Sequence, residues 1–171
     1  MLAWVAWFAA AAPPTAVERE VLVLVRTLSY DRALDRHVGA LRIGIVGAPP
    51  AADEVLAVVR GLVGVTVSGR PIAPPTVLAP TPGDWVVRLG DVDVVVLCPG
   101  IDPVLADISS AAAARHVGTL ALDGRMVGRG AGLGVAVSGD HLEIVVDPVQ
   151  ASAEGARLAG ELLELAREVD R

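Results

Sequence analysis

The chain has 171 residues, of which 53% are hydrophobic and only 3% aromatic, so valine, alanine and leucine must build its interior. This length predicts a single domain, and this composition suits a parallel sheet buried between helices. The 14 basic residues, all of them arginine, face 20 acidic ones, and the net charge is −6. The arginines form no basic cluster in the sequence. A nucleic-acid-binding surface depends on such a cluster, so we expect no nucleic-acid partner.

The first 16 residues predict a secretory signal peptide. Residues 2–12 are apolar and end at Pro13 and Pro14, and they fall short of the ~20 residues that cross a bilayer. The length and the small residues before the prolines are typical of a signal peptide, although no basic residue precedes Arg19. We therefore expect export to the periplasm; a misassigned start or a hydrophobic helix packed on the domain are the alternatives.

The next segment predicts a helix, a strand and a second helix. Thr15 and Glu18 have the spacing of a capping box. The apolar residues that follow share one helical face: Val17, Val21, Leu24, Val25 and Leu28. The run "VLVLV" would also suit a strand. "LRIGIVG" then predicts a short buried strand that ends at Gly47, and a helix follows the two prolines at positions 49 and 50.

The middle of the chain predicts strands on either side of a proline-rich segment. "GVTVSGRPI" is typical of a strand interrupted at residues 69–71, and "PIAPPTVLAPTPGDW" suits an edge strand or a loop, because proline cannot donate to a central ladder. "DVDVVVLCPG" is the clearest buried strand. The helix after it is predicted to begin with Asp102 as its cap and Pro103 at its first position, and to stop at Gly118.

The C-terminal third predicts a strand, "TLALDG", and a hairpin with its turn at residues 138–140. A final helix begins at Asp147 and Pro148, with Gln150 completing the cap. Its apolar stripe is Leu158, Leu162, Leu165 and Val169. Its predicted solvent face is Glu154, Arg157, Glu161 and Glu164.

Alternating strands and helices predict a mainly parallel sheet with helices on both faces, and the closing hairpin makes that sheet mixed. We therefore expect one α/β domain over residues 17–171, in which a C-terminal β-hairpin is followed by a long helix.

The glycine-rich stretch "GRGAGLGVAVSG", residues 128–139, raises the question of a phosphate-binding loop. A dinucleotide loop needs a third glycine where Leu133 or Val135 stands, and a P-loop needs a lysine, which the chain lacks. The sequence after the glycines predicts a strand, whereas phosphate loops lead into a helix. We interpret these glycines as positions where backbones pack closely.

The C-terminal third resembles the signature of the YfiR/HmsC-like periplasmic proteins. In that family a glycine-rich strand leads through a turn to a second strand, then to a short capped segment, a glycine and a Leu-Leu-containing helix. The counterparts in this chain are residues 133–137, 142–146 and 147–151, Gly155, and residues 162–166. Upstream, "VLVLVRTLSYDRAL", "LRIGIVG" and "VTVSGRPI" are similar to the family's opening helix and first two strands.

The resemblance implies an exported α/β domain without catalytic activity and without a cofactor. It implies a repressor that binds the periplasmic sensor part of a membrane-bound diguanylate cyclase and so controls cyclic-di-GMP output. The chain departs from better-known members because it lacks their cysteine pairs. Its lone Cys98 follows the buried strand, so redox sensing is not carried over, and we interpret this residue as a buried thiol.

No spacing in the sequence assembles a catalytic or metal site. Zinc-binding motifs such as H-x-x-x-H and C-x-x-C are absent. The three histidines are interpreted as surface residues: His37, His116 and His141. Two aspartate pairs could mimic an acidic site, but we interpret Asp91 and Asp93 as part of a turn. Asp31 and Asp35 are interpreted as a solvated face between arginines.

One set of loops remains as a candidate site for a ligand or a partner. Ligands of open parallel sheets bind beyond the carboxyl ends of the strands. The residues predicted to lie there are Gly47, Ala48, Pro99, Gly100, Ile101, Asp123, Arg125 and Arg129. The two arginines could bind an acidic group bidentately. A small-molecule-binding lobe, similar to half of a transporter's substrate-binding protein, is therefore the alternative function.

A homodimer is a further possible assembly, because exposed apolar faces of the helices would suit one.

Overall fold

Nine strands and five α-helices make up the computed structural model, which describes residues 13–80, 88–139 and 141–169, except for the side chain of Arg36. The helices are α1 (Ala16–Thr27), α2 (Ala51–Gly61), α3 (Leu105–Arg115), α4 (Pro148–Ala153) and α5 (Gly160–Leu165). The strands are β1 (Ile43–Val46), β2 (Thr66–Val67), β3 (Arg70–Pro71), β4 (Thr76–Leu78), β5 (Val94–Leu97), β6 (Gly118–Ala121), β7 (Leu133–Ser138), β8 (His141–Val146) and β9 (Arg167–Glu168).

Seven of these strands form one sheet in the order β4-β1-β5-β6-β7-β8-β9. The pairs from β4 to β7 are all parallel, β8 runs antiparallel to β7, and β9 is parallel to β8. Strands β2 and β3 form a separate small hairpin. The predicted α/β fold with a mixed, mainly parallel sheet is confirmed, and so are the C-terminal hairpin and the proline-flanked edge strand β4.

Helices cover both faces of the sheet, as predicted. On one face α1, α2 and Leu162 of α5 pack against Ile43, Ile45 and Val96. On the other face α3 and the 3-10 turn Gly124–Arg129 pack against Val95 and Leu97. Every residue of β1 and β5 is buried, because both faces of these central strands are covered.

Helix caps match the sequence at two of three predicted places. The Thr15 hydroxyl accepts a hydrogen bond from the N–H of Glu18 at 3.1 Å, and Asp147 accepts one from the N–H of Gln150 at 2.9 Å. The predicted cap at Asp102 is wrong. A 3-10 turn, Asp102–Val104, precedes α3 and has no side-chain cap, because Arg129 engages the Asp102 carboxylate instead.

The segment after the hairpin differs from the predicted long helix. It is divided into α4, α5 and the strand β9. Gly155 has φ +88° just after α4, and such a residue ends a helix. The backbone beyond Gly155 pairs with residues that follow α1. The backbone N–H of Arg32 donates to the Arg157 carbonyl at 3.0 Å. These tertiary hydrogen bonds replace those of a continued helix.

The described residues contain no helix long and apolar enough to cross a membrane. Most of the predicted signal peptide, residues 1–12, lies outside the described residues, as does the last position of the predicted hairpin turn, Asp140. Thr15 stands on the leader side of the predicted boundary at residue 17, yet it caps α1. A version of the domain intended for experiments should therefore keep residues 13–16.

Candidate functional site

Four of the eight predicted site residues serve the fold at the carboxyl ends of β1 and β5. Gly47 is buried, and a Cβ there would lie only 2.5 Å from the Cβ of Cys98. The carbonyl of Ala48 accepts a hydrogen bond from Ala52 in the first turn of α2. Gly100 turns the chain with φ +89°, and Ile101 is 2% exposed, within the core. These four residues therefore contribute mainly to the fold and not to a binding surface.

Three other predicted residues, Pro99, Asp123 and Arg125, line one cleft. We call it the strand-end cleft; it has a volume of about 650 Å³. Its remaining lining residues are Glu20, Leu122, Gly124, Gly128, Val135, Ala136, Val137, Arg167 and Val169. The eighth predicted residue, Arg129, lines a different cleft together with Ser109 and Gln150. The structure thus brings part of the predicted set together and places Arg129 apart.

Carboxylates of the same chain pair with both predicted arginines. Asp123 accepts from Nε and Nη2 of Arg125, the latter at 2.6 Å. The hydrogen bond from Arg125 is the main reason why the pKa of Asp123 lies below its usual value, against a smaller effect of burial. Arg129 pairs with Asp102 across the loops. A ligand at this edge of the sheet would have to share or break these pairs.

The strand-end cleft also contains a carboxyl group that the sequence analysis did not single out. Glu20 extends to it from α1. Partial burial raises the pKa of Glu20; Arg19 opposes this shift, and the negative charge of Asp123 adds to it. On the other side, Arg167 pairs with Glu143 at 2.9 Å. The cleft therefore presents mixed charges around an apolar strip on β7.

Helical periodicity misassigned one buried acidic residue, Glu154. Glu154 was predicted on a solvent face but is 3% exposed. Its Oε2 accepts a hydrogen bond from the N–H of Thr119 at 2.8 Å, and its Oε1 accepts from the Thr119 hydroxyl at 2.7 Å and from Gln150 at 3.0 Å. Burial raises the pKa of Glu154 to about 7, although these hydrogen bonds act in the opposite direction.

The glycine-rich stretch packs closely, as the sequence analysis predicted. A Cβ at Gly132 would lie 2.6 Å from Oε2 of Glu154, and one at Gly134 would lie 2.7 Å from the side chain of Val127. The N–H of Gly132 also donates to the Thr119 hydroxyl at 2.7 Å. The stretch leads directly into β7, and its glycines make room for neighbouring side chains.

A buried ion pair holds the amino ends of β1 and β5. Asp93, interpreted from sequence as part of a turn, accepts from Arg70 at 2.8 Å and from the Arg42 side chain at 3.1 Å. The side chains of Arg70 and Asp93 are 6% and 7% exposed. Burial by itself raises the pKa of Asp93, but hydrogen bonds from Arg42 and the charge of Arg70 outweigh it and lower that pKa. The Nη1 of Arg70 is buried without a partner among the described residues.

Next to this ion pair lies a small cavity of about 190 Å³ with a mixed polar and apolar lining. Asp93, Thr119, Glu154, Arg115 and His116 are among its lining residues. His116 follows α3 in the left-handed conformation, with φ +54°, so it ends that helix. The described residues hold no cluster of histidine, cysteine and carboxylate groups suited to a metal ion.

The last surface feature is a groove between α1 and α2, which we call the α1–α2 groove. It is lined by Thr15, Val17, Glu18, Leu22, Glu54, Ala57, Val58, Gly61 and Leu62. Its volume is about 650 Å³, and Leu22 is 40% exposed beside it. Periodicity correctly predicted that Val21, Leu24 and Val25 of α1 are buried, but Val17, assigned to the same face, lines this groove instead.

A scan against models of protein families and a search of curated proteins both give no match to this chain.

Proposed function

We propose that this chain is a non-catalytic regulatory protein of the periplasm that binds a membrane-bound signalling enzyme and holds it inactive. The sequence resemblance indicates a diguanylate cyclase as that enzyme, so the chain would control cyclic-di-GMP output. A protein that binds the inactive state preferentially shifts the equilibrium of its partner toward that state.

The observation that carries this proposal is the structural role of the residues on which the resemblance rests. Asp147 caps α4, Gly155 ends that helical segment with φ +88°, and Leu162 is fully buried against the sheet. The first two residues lie at the start and just after the end of α4, and Leu162 joins the core that also contains residues of α1 and α2. The likeness therefore concerns the architecture of the domain, which supports an assignment to the same class of binding proteins.

A second support is the apolar surface on α1 and α2. Exposed apolar patches that carry a polar rim mark interaction sites more often than isolated exposed residues do. Leu22 is exposed there beside the half-buried Val17, Val58 and Leu62. A regulator that acts by contact with another protein needs a surface of this kind.

Deleting the gene in its host and measuring cellular cyclic-di-GMP tests the proposal. A repressor of a diguanylate cyclase raises cyclic-di-GMP when it is lost, and the level should return when the full chain is supplied. In parallel, the tagged chain is purified from detergent-solubilised membranes, with an unrelated exported protein as the control. Unchanged cyclic-di-GMP, with no cyclase-bearing protein in the eluate, would contradict the proposal.

The strand-end cleft favours a small-molecule-binding lobe as a second candidate function. It lies beyond the carboxyl ends of β5 and β6 and combines Arg125 and Arg167 with an apolar strip at Val135 and Val137. This arrangement would suit a small acid with an apolar body. A thermal-shift screen with such acids tests it, because a true ligand raises the melting temperature and loses this effect in Arg125→Ala. A screen without a hit that depends on Arg125 would exclude this function.

A further inference from the structure

The α1–α2 groove has the dimensions of two helical turns. Its lining runs from Thr15 to Leu22 along α1 and from Glu54 to Leu62 along α2, which is about 10.5 Å and about 12 Å at 1.5 Å per residue. Side chains at positions i, i+4 and i+7 of a bound helix span about 10.5 Å. The groove can therefore receive three such side chains in the manner of other helix-in-groove complexes.

The charged residues of the groove indicate which kind of helix it can bind. The lining residues that the structure describes include two carboxylates, Glu18 and Glu54, and no basic side chain. The floor is apolar, with Val17, Val58 and Leu62 packed on the core beneath. An apolar floor with acidic edges complements a helix that has apolar residues on one face and lysine or arginine beside them.

We propose that the α1–α2 groove binds a basic amphipathic helix of the membrane-bound partner. That the helix belongs to a membrane-bound partner rests on the proposed function. That the groove suits a basic amphipathic helix rests only on its lining residues. The helix lays its apolar residues on Leu22, Val58 and Leu62, and its basic residues lie next to Glu18 and Glu54. This assigns the partner-binding surface to the groove between α1 and α2 and not to the strand-end cleft, which α1 borders through Glu20.

Two synthetic peptides of about 14 residues test the groove directly. Both are stapled to keep them helical, because free peptides of this length are marginal helices in water. Both carry leucine at i, i+4 and i+7; one has lysine beside the leucines and the other has glutamate. Binding to a chain that begins at residue 13, and so keeps Thr15 in the groove and at the start of α1, is followed by NMR chemical shifts. We expect the lysine peptide to bind about tenfold more tightly, with shifts confined to α1 and α2.

Matched variants locate the site. Glu54→Arg should weaken the lysine peptide about tenfold, whereas Asp53→Arg should leave it unchanged. Asp53 is the neighbouring acid in the first turn of α2 and does not line the groove, so both changes cost the helix about the same. Leu22→Asp should abolish binding, while Leu165→Asp, at another exposed leucine, should not. Equal binding of the two peptides, or equal effects of Glu54→Arg and Asp53→Arg, overturns the proposal.

Two further results separate this proposal from its alternatives. If the lysine peptide binds the chain that begins at residue 13 but not a chain that retains residues 1–12, the groove belongs to the chain's own leader, and the proposal fails. If the wild-type chain co-purifies the cyclase and Glu54→Arg does so equally well, the groove assignment fails while the proposed function stands. If the peptide behaves as expected but loss of the gene leaves cyclic-di-GMP unchanged, the groove stands and the proposed function fails.

Discussion

The carboxylate of Glu154 is bound to Thr119 through both of its oxygens. One accepts the backbone N–H at 2.8 Å and the other accepts the hydroxyl at 2.7 Å. The same hydroxyl accepts the N–H of Gly132 at 2.7 Å. One buried acid therefore ties together the segment after α4, the strand β6 and the glycine-rich stretch before β7.

Glu154→Gln should change how stability depends on pH. The pKa of Glu154 in the folded chain is about 7, raised from 4.5, so the folded state binds the proton more tightly than the unfolded state. The stabilisation that the proton on Glu154 gives the folded chain is fully present below about pH 4.5 and is lost as pH rises through about 7. From about pH 5 to pH 8 the free energy of unfolding of the wild type should fall relative to Glu154→Gln, by at most about 1.4 kcal/mol per pH unit.

Urea denaturation at several pH values measures this difference. Glu161→Gln is the control, since the side chain of Glu161 is 70% exposed, and it should follow the wild type. Parallel curves for the wild type and Glu154→Gln would show that the buried carboxyl does not titrate in this range.

Gly132→Ala should destabilise the chain by about 1–3 kcal/mol, the usual cost of an overpacked core. The added Cβ would lie 2.6 Å from Oε2 of Glu154 and 3.1 Å from the Cα of Ala151, and a backbone atom cannot move away cheaply. Gly160→Ala, where a Cβ meets nothing within 4 Å, should have little effect. Denaturant midpoints measure both, and equal midpoints for the two variants would contradict the close packing of this stretch.

Arg70→Met should destabilise the chain strongly, by about 3 kcal/mol, because it leaves the buried Asp93 without one of its two cations. Arg32→Met removes an arginine that is 70% exposed and 4.0 Å from Glu161, and it should change stability by less than about 0.5 kcal/mol. Thermal and urea denaturation compare the two variants. A small loss with Arg70→Met would mean that Arg42 alone compensates the charge of Asp93.

The thiol of Cys98 should react slowly in the folded chain. Cys98 is 0% exposed, and burial raises the pKa of its thiol from 9.0 to about 11, which lowers the thiolate fraction about a hundredfold. Labelling with a disulfide reagent at neutral pH should therefore be slow until denaturant is added. Rapid labelling of the folded chain would show that the loop after β5 opens and would contradict the interpretation of Cys98 as a buried, unreactive thiol.

The candidate site was predictable in part. The rule that loops at the carboxyl ends of parallel strands meet placed Pro99, Asp123 and Arg125 in one cleft. The same rule also predicted Arg129 there, which is wrong, because this side chain pairs with Asp102 and lines a different cleft. Which carboxylate an arginine meets depends on how the loops pack, and sequence spacing carries no information on that.

The sequence by itself determined the order of the main strands and helices as far as β8, the hairpin of β7 and β8, and the caps at Thr15 and Asp147. These features follow from signals a few residues apart: apolar periodicity, turn residues, and a side chain that reaches the next turn of its own backbone. Local hydrogen bonding and the removal of apolar faces from water suffice to decide them.

Only the tertiary structure decided the division of the last helix and the burial of Glu154 and Arg70. Helical spacing places Glu154 on a polar face, but its partner Thr119 is 35 residues away in sequence. Arg70 likewise meets Asp93 across 23 residues. A charged side chain is buried only where hydrogen bonds or an opposite charge compensate for its lost hydration. For these two residues such partners come from distant segments, so their environment exists only once the sheet has assembled.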